Sequence, residues 1–220
     1  AATYVEMKQR DCDRLGVDGR HVDIDADADA RTLYDAIEDL NADPAVDGIM
    51  IQDDTPPHVD WMSAVRRIDP TKDVDGLHPD NLGRLMAGDP RFVPCTPLGI
   101  ERLLADNGIP IEGSDIVIVN HSTIVGKPLA NLLVQKTDGT PSAAAKGATA
   151  APNATVTVCH SATTDLAAKT RAADVVVVAV GIPEFLDGSM ISEGATVVDV
   201  GVSTVELEGG ERAQVGDVDV

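Results

Sequence analysis

The stretch Asp115-Ile116-Val117-Ile118-Val119-Asn120-His121-Ser122-Thr123-Ile124-Val125-Gly126-Lys127-Pro128 decides the fold. Its first five residues form a short apolar run, read as a buried strand. Asn120 to Gly126 is the turn. A helix then runs from Lys127 to about Gln135, with Pro128 in its first turn, where a missing N–H costs nothing. Working outward toward the C-terminus, the pattern repeats. Thr155-Val156-Thr157-Val158-Cys159 predicts a strand, 164–172 a helix, 174–180 a strand ending at Gly181, and 195–200 another ending at Gly201. Strand and helix alternation predicts a parallel sheet with right-handed crossovers, a doubly wound α/β arrangement of the dinucleotide-binding type. Between its first two strands, 137–154 is rich in Ala, Gly, Thr and Pro and has the composition of a flexible surface insertion.

Working toward the N-terminus, Pro94-Cys95-Thr96-Pro97 is a stiff joint. Thr96 is the expected N-cap of a helix over 98–107, with Pro97 at its first position and Gly108 as its stop. The domain boundary is placed there, giving 1–97 and 98–220. The first part alternates helix and short strand. Thr3 caps a helix to Leu15 that Gly16 stops. His21 to Ile24 is a strand candidate. Asp27 or Asp29 caps a helix to about Leu40. Ile49-Met50-Ile51-Gln52 is a short strand, 58–68 a helix after Pro56-Pro57, and Pro70 to Gly76 a polar loop.

Composition narrows the function. The 220 residues carry 17 Lys+Arg against 37 Asp+Glu, a net charge of −20 and a pI near 4.3. A nucleic-acid binder needs a basic face, so this balance argues against one. The excess is mostly Asp, 28 against 9 Glu, and it is dispersed along the chain. Dispersed acid points to a halophile's surface, kept soluble where salt screens repulsion. Aromatic residues are 2%, so the core is left to Val, Ile, Leu and Ala, which suits a sheet covered by helices. Cys12, Cys95 and Cys159 are odd in number and lack metal-site spacing, which predicts reduced thiols in a cytoplasm and no metal. No apolar run reaches membrane-spanning length and no signal peptide opens the chain.

In a doubly wound sheet, ligands bind beyond the carboxyl ends of the strands. Asn120, His121, Ser122, Ile124 and Gly126 stand at the first strand end and its turn, His160 and Ser161 at the second, Val180 and Gly181 at the third, and Gly201 at the fourth. The turn has one glycine, not the three of the dinucleotide fingerprint. An NAD-selective site often places a carboxylate at the second strand end. Here the sequence reads Cys159-His160-Ser161-Ala162-Thr163, which favours NADP and leaves NAD open. Ser161 or Thr163 as a plain helix cap explains the same residues. A hydrolase built on Ser122 and His121 is set aside, because the elbow motif is missing. In the first part, Tyr4 and Lys8 share a helix face, Gln52 ends a strand, and Asp75 lies in a Pro- and Gly-bounded loop. A lysine facing a cleft can shuttle protons, and an uncharged Gln can hydrogen-bond its amine.

Together these segments resemble the bifunctional methylenetetrahydrofolate dehydrogenase/methenyltetrahydrofolate cyclohydrolase family. The resemblance runs through 2–8, 47–52, 70–85 with Lys72-Asp73-Val74-Asp75-Gly76, 92–100, 122–128, 154–161 and Gly216-Asp217-Val218-Asp219. It implies hydride transfer from 5,10-methylenetetrahydrofolate to a nicotinamide cofactor, then hydrolysis of the 5,10-methenyl product to 10-formyltetrahydrofolate. It gives Lys8 the proton handling, Tyr4 the shaping of the pocket, Gln52 the tuning of the lysine, and Asp75 the pterin ring. It also implies a homodimer. Three stretches depart from the family pattern: Asn120-His121-Ser122 where Gly-Arg-Ser is usual, Asp53-Asp54-Thr55 after Gln52, and the 137–154 insertion. Segments that family members carry at both ends are not in the sequence, which is read as part of a longer gene. The competing readings are a truncated, non-catalytic dinucleotide- or folate-binding remnant, and a two-domain NAD(P) dehydrogenase of amino-acid or shikimate type. The latter leaves the first-domain motifs unexplained.

Overall fold

The computed structural model describes residues 2–52, 55–136, 152–206, 210 and 212–219. The chain packs as two compact units, Ala1–Val74 and Asp75–Val220.

In the first unit, helix α1 spans Ala2–Leu15, and Gly16 stops it with a positive φ of +72°, a conformation open to glycine at no steric cost. Helix α2 spans Ala30–Ala42, capped by Asp29, whose carboxylate accepts the Arg31 N–H. Its apolar face, Leu33, Ile37 and Leu40, packs with Ile49, Ala64 and Ile68. Three local expectations change. Residues 21–24 form no strand and lie mostly exposed, because no described neighbour offers them a ladder. Residues 49–52 make one parallel bridge, Ile49 to Asp73, rather than a strand in a sheet. The helix after Pro56-Pro57 is one short turn and a half, α3, Trp61–Val65.

A lysine and an asparagine tie this unit's last loop to α2. Lys72 Nζ donates to the carbonyls of Leu40, Asn41 and Asp43 at 3.1, 2.8 and 2.8 Å. Those are orphan acceptors at a helix C-terminus, where a cation is favoured. Asn41 donates to Arg67 O and accepts from Asp69 N.

The second unit is built on a four-stranded parallel sheet of β1 (Asp115–Val119), β2 (Thr155–Cys159), β3 (Val175–Val178) and β4 (Thr196–Asp199), in the order β2-β1-β3-β4. Side chains alternate across it with period two. Ile116, Ile118, Val175 and Val177 share one face with Ile100, Leu104, Leu129 and Leu133 of helices α5 (Cys95–Asp106) and α6 (Gly126–Leu133). Val117, Val119, Val176 and Val178 share the other with Leu166 of helix α7 (Leu166–Arg171) and with Leu186. Each β3 valine is at most 1% exposed, and burying such a side chain stabilises by about 2 kcal/mol. This is the doubly wound α/β fold expected.

Residues 75–97 pack with this unit. Helix α4, Pro79–Met86, which sequence reading did not mark, supplies the reason. Its Leu85 packs with Val93 and with Leu132 of α6, and Gln135 Nε2 donates to Leu85 O. The α5 cap also differs. Leu98 N bonds to Pro94 O at 3.0 Å, which makes Pro94 the cap and puts Thr96 inside the first turn. A second unmarked element is an antiparallel pair, β5 (Ser203–Glu206) and β6 (Arg212–Val215). Of the expected insertion, 137–151 lies outside the described residues. Its end is tied back to α6, with Asn153 N donating to Gln135 O and Ala154 N to Leu133 O. Among the described residues no helix is long and apolar enough to cross a membrane, and no cluster of three or more His, Cys, Asp or Glu is placed to hold a metal.

Candidate active site

The strand order reverses between β1 and β3, and in open parallel sheets this switch point, beyond the carboxyl ends, is where ligands bind. Asn120 spans it. Its Nδ2 donates to Ala179 O at 2.5 Å, and its Oδ1 accepts from Ser122 N at 2.8 Å and Gly126 N at 2.9 Å. Gly126 opens α6 so close to Asn120 that an added Cβ would lie 2.1 Å from the Asn120 carbonyl oxygen. Ser122 Oγ accepts from Val125 N at 3.0 Å, which completes the turn. Ile124 beside it is half-buried. The turn thus needs Asn at one end and Gly at the other, and it delivers the N-terminus of α6 to the switch point, where an anion is favoured.

At the neighbouring strand ends, His121 and His160 are both exposed and their ring centroids are 4.8 Å apart, tilted by 47°. The loop after β2 is held by its own caps: His160 N donates to Thr163 Oγ1 at 2.8 Å, and Ala162 N donates to His160 Nδ1 at 3.2 Å. Ser161 remains exposed. Behind them Cys159 is fully buried, and burial pushes its thiol above the ordinary range against the opposing pull of Thr163 and Lys169. A raised thiol is an inert one.

Val180 and Gly181 follow β3, with Gly181 at φ +67°. Gly201 follows β4. Sequence reading gave no role to the residues that organise these two ends, Asp199 and Asp217. Asp217 Oδ2 accepts from Val180 N at 2.6 Å and Gly181 N at 3.0 Å. Asp199 accepts from Gly201 N, Asp217 N and Val218 N at 2.9, 3.0 and 3.1 Å. The available signal was Asp beside Gly in both segments, Asp199-Val200-Gly201 and Gly216-Asp217. Each glycine makes room for the other segment's carboxylate.

In the first unit, Lys8 Nζ donates to Gln52 Oε1 at 3.1 Å and lies 3.1 Å from Met50 Sδ. Helix α1 presents the amine, and the end of the 49–52 segment presents both partners. Neither partner is charged, so the amine is oriented without being neutralised by a carboxylate in that pair. Tyr4 lies one helical turn before Lys8 in α1. Asp53 and Asp54 fall outside the described residues. Asp75 opens the second unit, half-buried in the turn that Gly76 completes at φ +68°. A Cβ at Gly76 would meet Pro94 N at 3.0 Å and Val93 C at 3.1 Å, which fixes the turn beside Asp75.

Comparison with known proteins covers both units. A family model described as the catalytic domain of tetrahydrofolate dehydrogenase/cyclohydrolase matches residues 1–75, and one described as its NAD(P)-binding domain matches 94–220. The chain is 54% identical to the bifunctional protein FolD of Natronomonas pharaonis over 218 residues, 99% of this chain and 69% of that protein. It is 53% identical to a FolD protein of Haloarcula marismortui over the same shares. Among solved structures, the bifunctional FolD enzyme of Campylobacter jejuni superposes with a TM-score of 0.85 at 38% identity, over 99% of this chain and 71% of that one. The Trypanosoma brucei enzyme, complexed with NADP cofactor and an inhibitor, superposes at 0.86 with 34% identity, over 99% and 70%. With a catalytic-domain match on the unit that carries Lys8 and a cofactor-domain match on the switch-point sheet, the chain belongs to the tetrahydrofolate dehydrogenase/cyclohydrolase family.

Proposed function

We propose that this chain oxidises 5,10-methylenetetrahydrofolate with NADP and hydrolyses the 5,10-methenyl product to 10-formyltetrahydrofolate. The observation that carries the reading is the Lys8 Nζ to Gln52 Oε1 contact of 3.1 Å, made on the unit that matches the family's catalytic domain. The second unit fits a dinucleotide. The Asn120–Gly126 turn leaves no room for a side chain at Gly126, and α6 begins at the switch point. Asn120, His121, Ser122, Ile124 and Gly126 would hold the dinucleotide at β1, His160 and Ser161 at β2, Val180 and Gly181 at β3, and Gly201 at β4. When bound, the nicotinamide supplies the hydride acceptor. The residues 159–163 carry no carboxylate that would repel a 2′-phosphate, and Ser161 and His121 offer donors in its place, which supports NADP.

The two steps ask different things of the protein. Hydride transfer needs orientation, because the cofactor carries the chemistry. Ring opening starts from a cation, and a water must lose a proton as its oxygen bonds to the one-carbon centre. The resulting hydroxyl then gives up its proton to become the formyl carbonyl as the carbon–nitrogen bond to N5 breaks, with a proton delivered to that nitrogen. Lys8 is the group placed for these transfers, with Gln52 holding its amine, Tyr4 shaping the pocket and Asp75 accepting from the pterin. The protein is read as a cytoplasmic homodimer, a state that sedimentation in concentrated KCl tests; a lone monomer there overturns it.

The deciding variant is Lys8→Met, assayed for both activities in concentrated KCl. The cyclohydrolase step is expected to fall by about 10²–10⁴-fold, the range of one general acid–base group, while NADP reduction stays within about tenfold. An equal fall in both activities, or none in either, overturns the role given to Lys8.

A further inference from the structure

Asp217 is fully buried, yet it pairs with no cation among the described residues. Its Oδ2 takes two backbone N–H groups, those of Val180 and Gly181, and its Oδ1 has no hydrogen-bond partner among the described residues. Burying a carboxylate is expensive, and tying down a loop can be done by a neutral side chain. What a carboxylate oxygen adds is strength as an acceptor for two donors at once. The surroundings are shaped for it. A Cβ at Gly201 would lie 2.1 Å from Asp217 Cγ, and one at Gly216 would lie 1.8 Å from Asp199 Oδ2. Asp199 in turn grips Asp217 N and Val218 N.

The consequence lies on the opposite side of the peptide groups. A trans peptide points its carbonyl away from its N–H, and no described peptide is cis. With the N–H groups of Val180 and Gly181 both turned to Asp217, the carbonyls of Ala179 and Val180 turn away from it. Ala179 O is found on that side, accepting from Asn120 at the switch point. Val180 O is the next acceptor along. In a doubly wound sheet the pyrophosphate sits at the helix after the first strand and the adenosine ribose over the second strand end. The nicotinamide half then falls to the β3 and β4 ends.

We propose that Asp217 is a positioning residue for the cofactor: by holding the Val180 and Gly181 N–H groups it presents the Val180 carbonyl to the carboxamide amino group of the nicotinamide. This rests on the reading of the β1–β4 sheet as a dinucleotide site.

The test measures binding of NADP and of its 3-acetylpyridine analogue, whose acetyl group cannot donate a hydrogen bond, to the full chain in concentrated KCl. Wild type is expected to prefer NADP, and Asp217→Ala to shrink that preference by about tenfold, the scale of one hydrogen bond. Asp217→Asn, whose amide oxygen can still accept both N–H groups though more weakly than a carboxylate, keeps most of the preference. Gly201→Ala drives a methyl into the carboxylate and shrinks it, and it decides the matter if Asp217→Ala does not fold. A preference unchanged in Asp217→Ala and Gly201→Ala overturns the proposal, as does its collapse in Asp217→Asn. A wild-type chain that binds neither dinucleotide overturns the cofactor-site reading itself, and the proposal with it.

Discussion

An exposed lysine amine ordinarily spends its time in water, but Lys8 has two uncharged partners from one short segment. Neither partner is a carboxylate, so the contact orients the amine without an ion pair. Asp80 shows the opposite arrangement. Arg91 donates to its Oδ2 at 2.7 Å and Arg84 at 3.3 Å, and the Arg91 hydrogen bond holds the Asp80 carboxyl below the usual range. A carboxyl lowered in the folded state stabilises fully above its unfolded pKa, about 3.9, and that contribution is lost as pH falls through the lowered value. Arg91→Ala should therefore destabilise the chain at neutral pH, with the gap to wild type narrowing as pH drops below about 4. The Arg91 contact with Asn81 Oδ1 persists at low pH and contributes to what remains there. Urea unfolding across pH at fixed salt measures this; a gap that does not narrow would show that the effect does not run through the Asp80 carboxylate.

At the scale of elements, the Lys72 clasp joins a loop to a helix end by three carbonyls. Removing it with Lys72→Met leaves the α2 terminus without its cation and should cost about 2 kcal/mol, read from the urea midpoint. A change within about 0.5 kcal/mol would show that water replaces the amine. Elements of this second kind, fixed by distant partners, were the ones the sequence concealed. The β1, β3 and β4 strands were readable because continuous Val and Ile runs have one stable environment, a covered parallel sheet. The 21–24 strand was not real because apolar alternation says nothing about whether a neighbour exists. Helix α4 was hidden by Pro79 and Gly83, although His78 caps it through the Asp80 N–H. The strand-end residues of the candidate site could be placed from topology alone. The Asp217 contact could not, since it joins Val180 to a residue 37 positions later.

For the whole molecule, charge sets the working conditions. A formal charge of −20 on 220 residues repels itself, and salt at about 1 M cuts the screening length to about 3 Å. The relatives from Natronomonas pharaonis and Haloarcula marismortui fit that chemistry, and it is why activity, cofactor binding and sedimentation are to be measured in concentrated KCl. The late position of Asp217 also sets an order of assembly. As the chain leaves the ribosome, the central β1–β3 pair can close once Val178 has emerged. The carboxylate that turns the Val180 peptide is translated 37 residues after Val180 itself. A nascent chain caught between Asp199 and Asp217 would own all four strands of the sheet while its strand-end carbonyls are still unaimed, so the cofactor site matures after the fold that carries it.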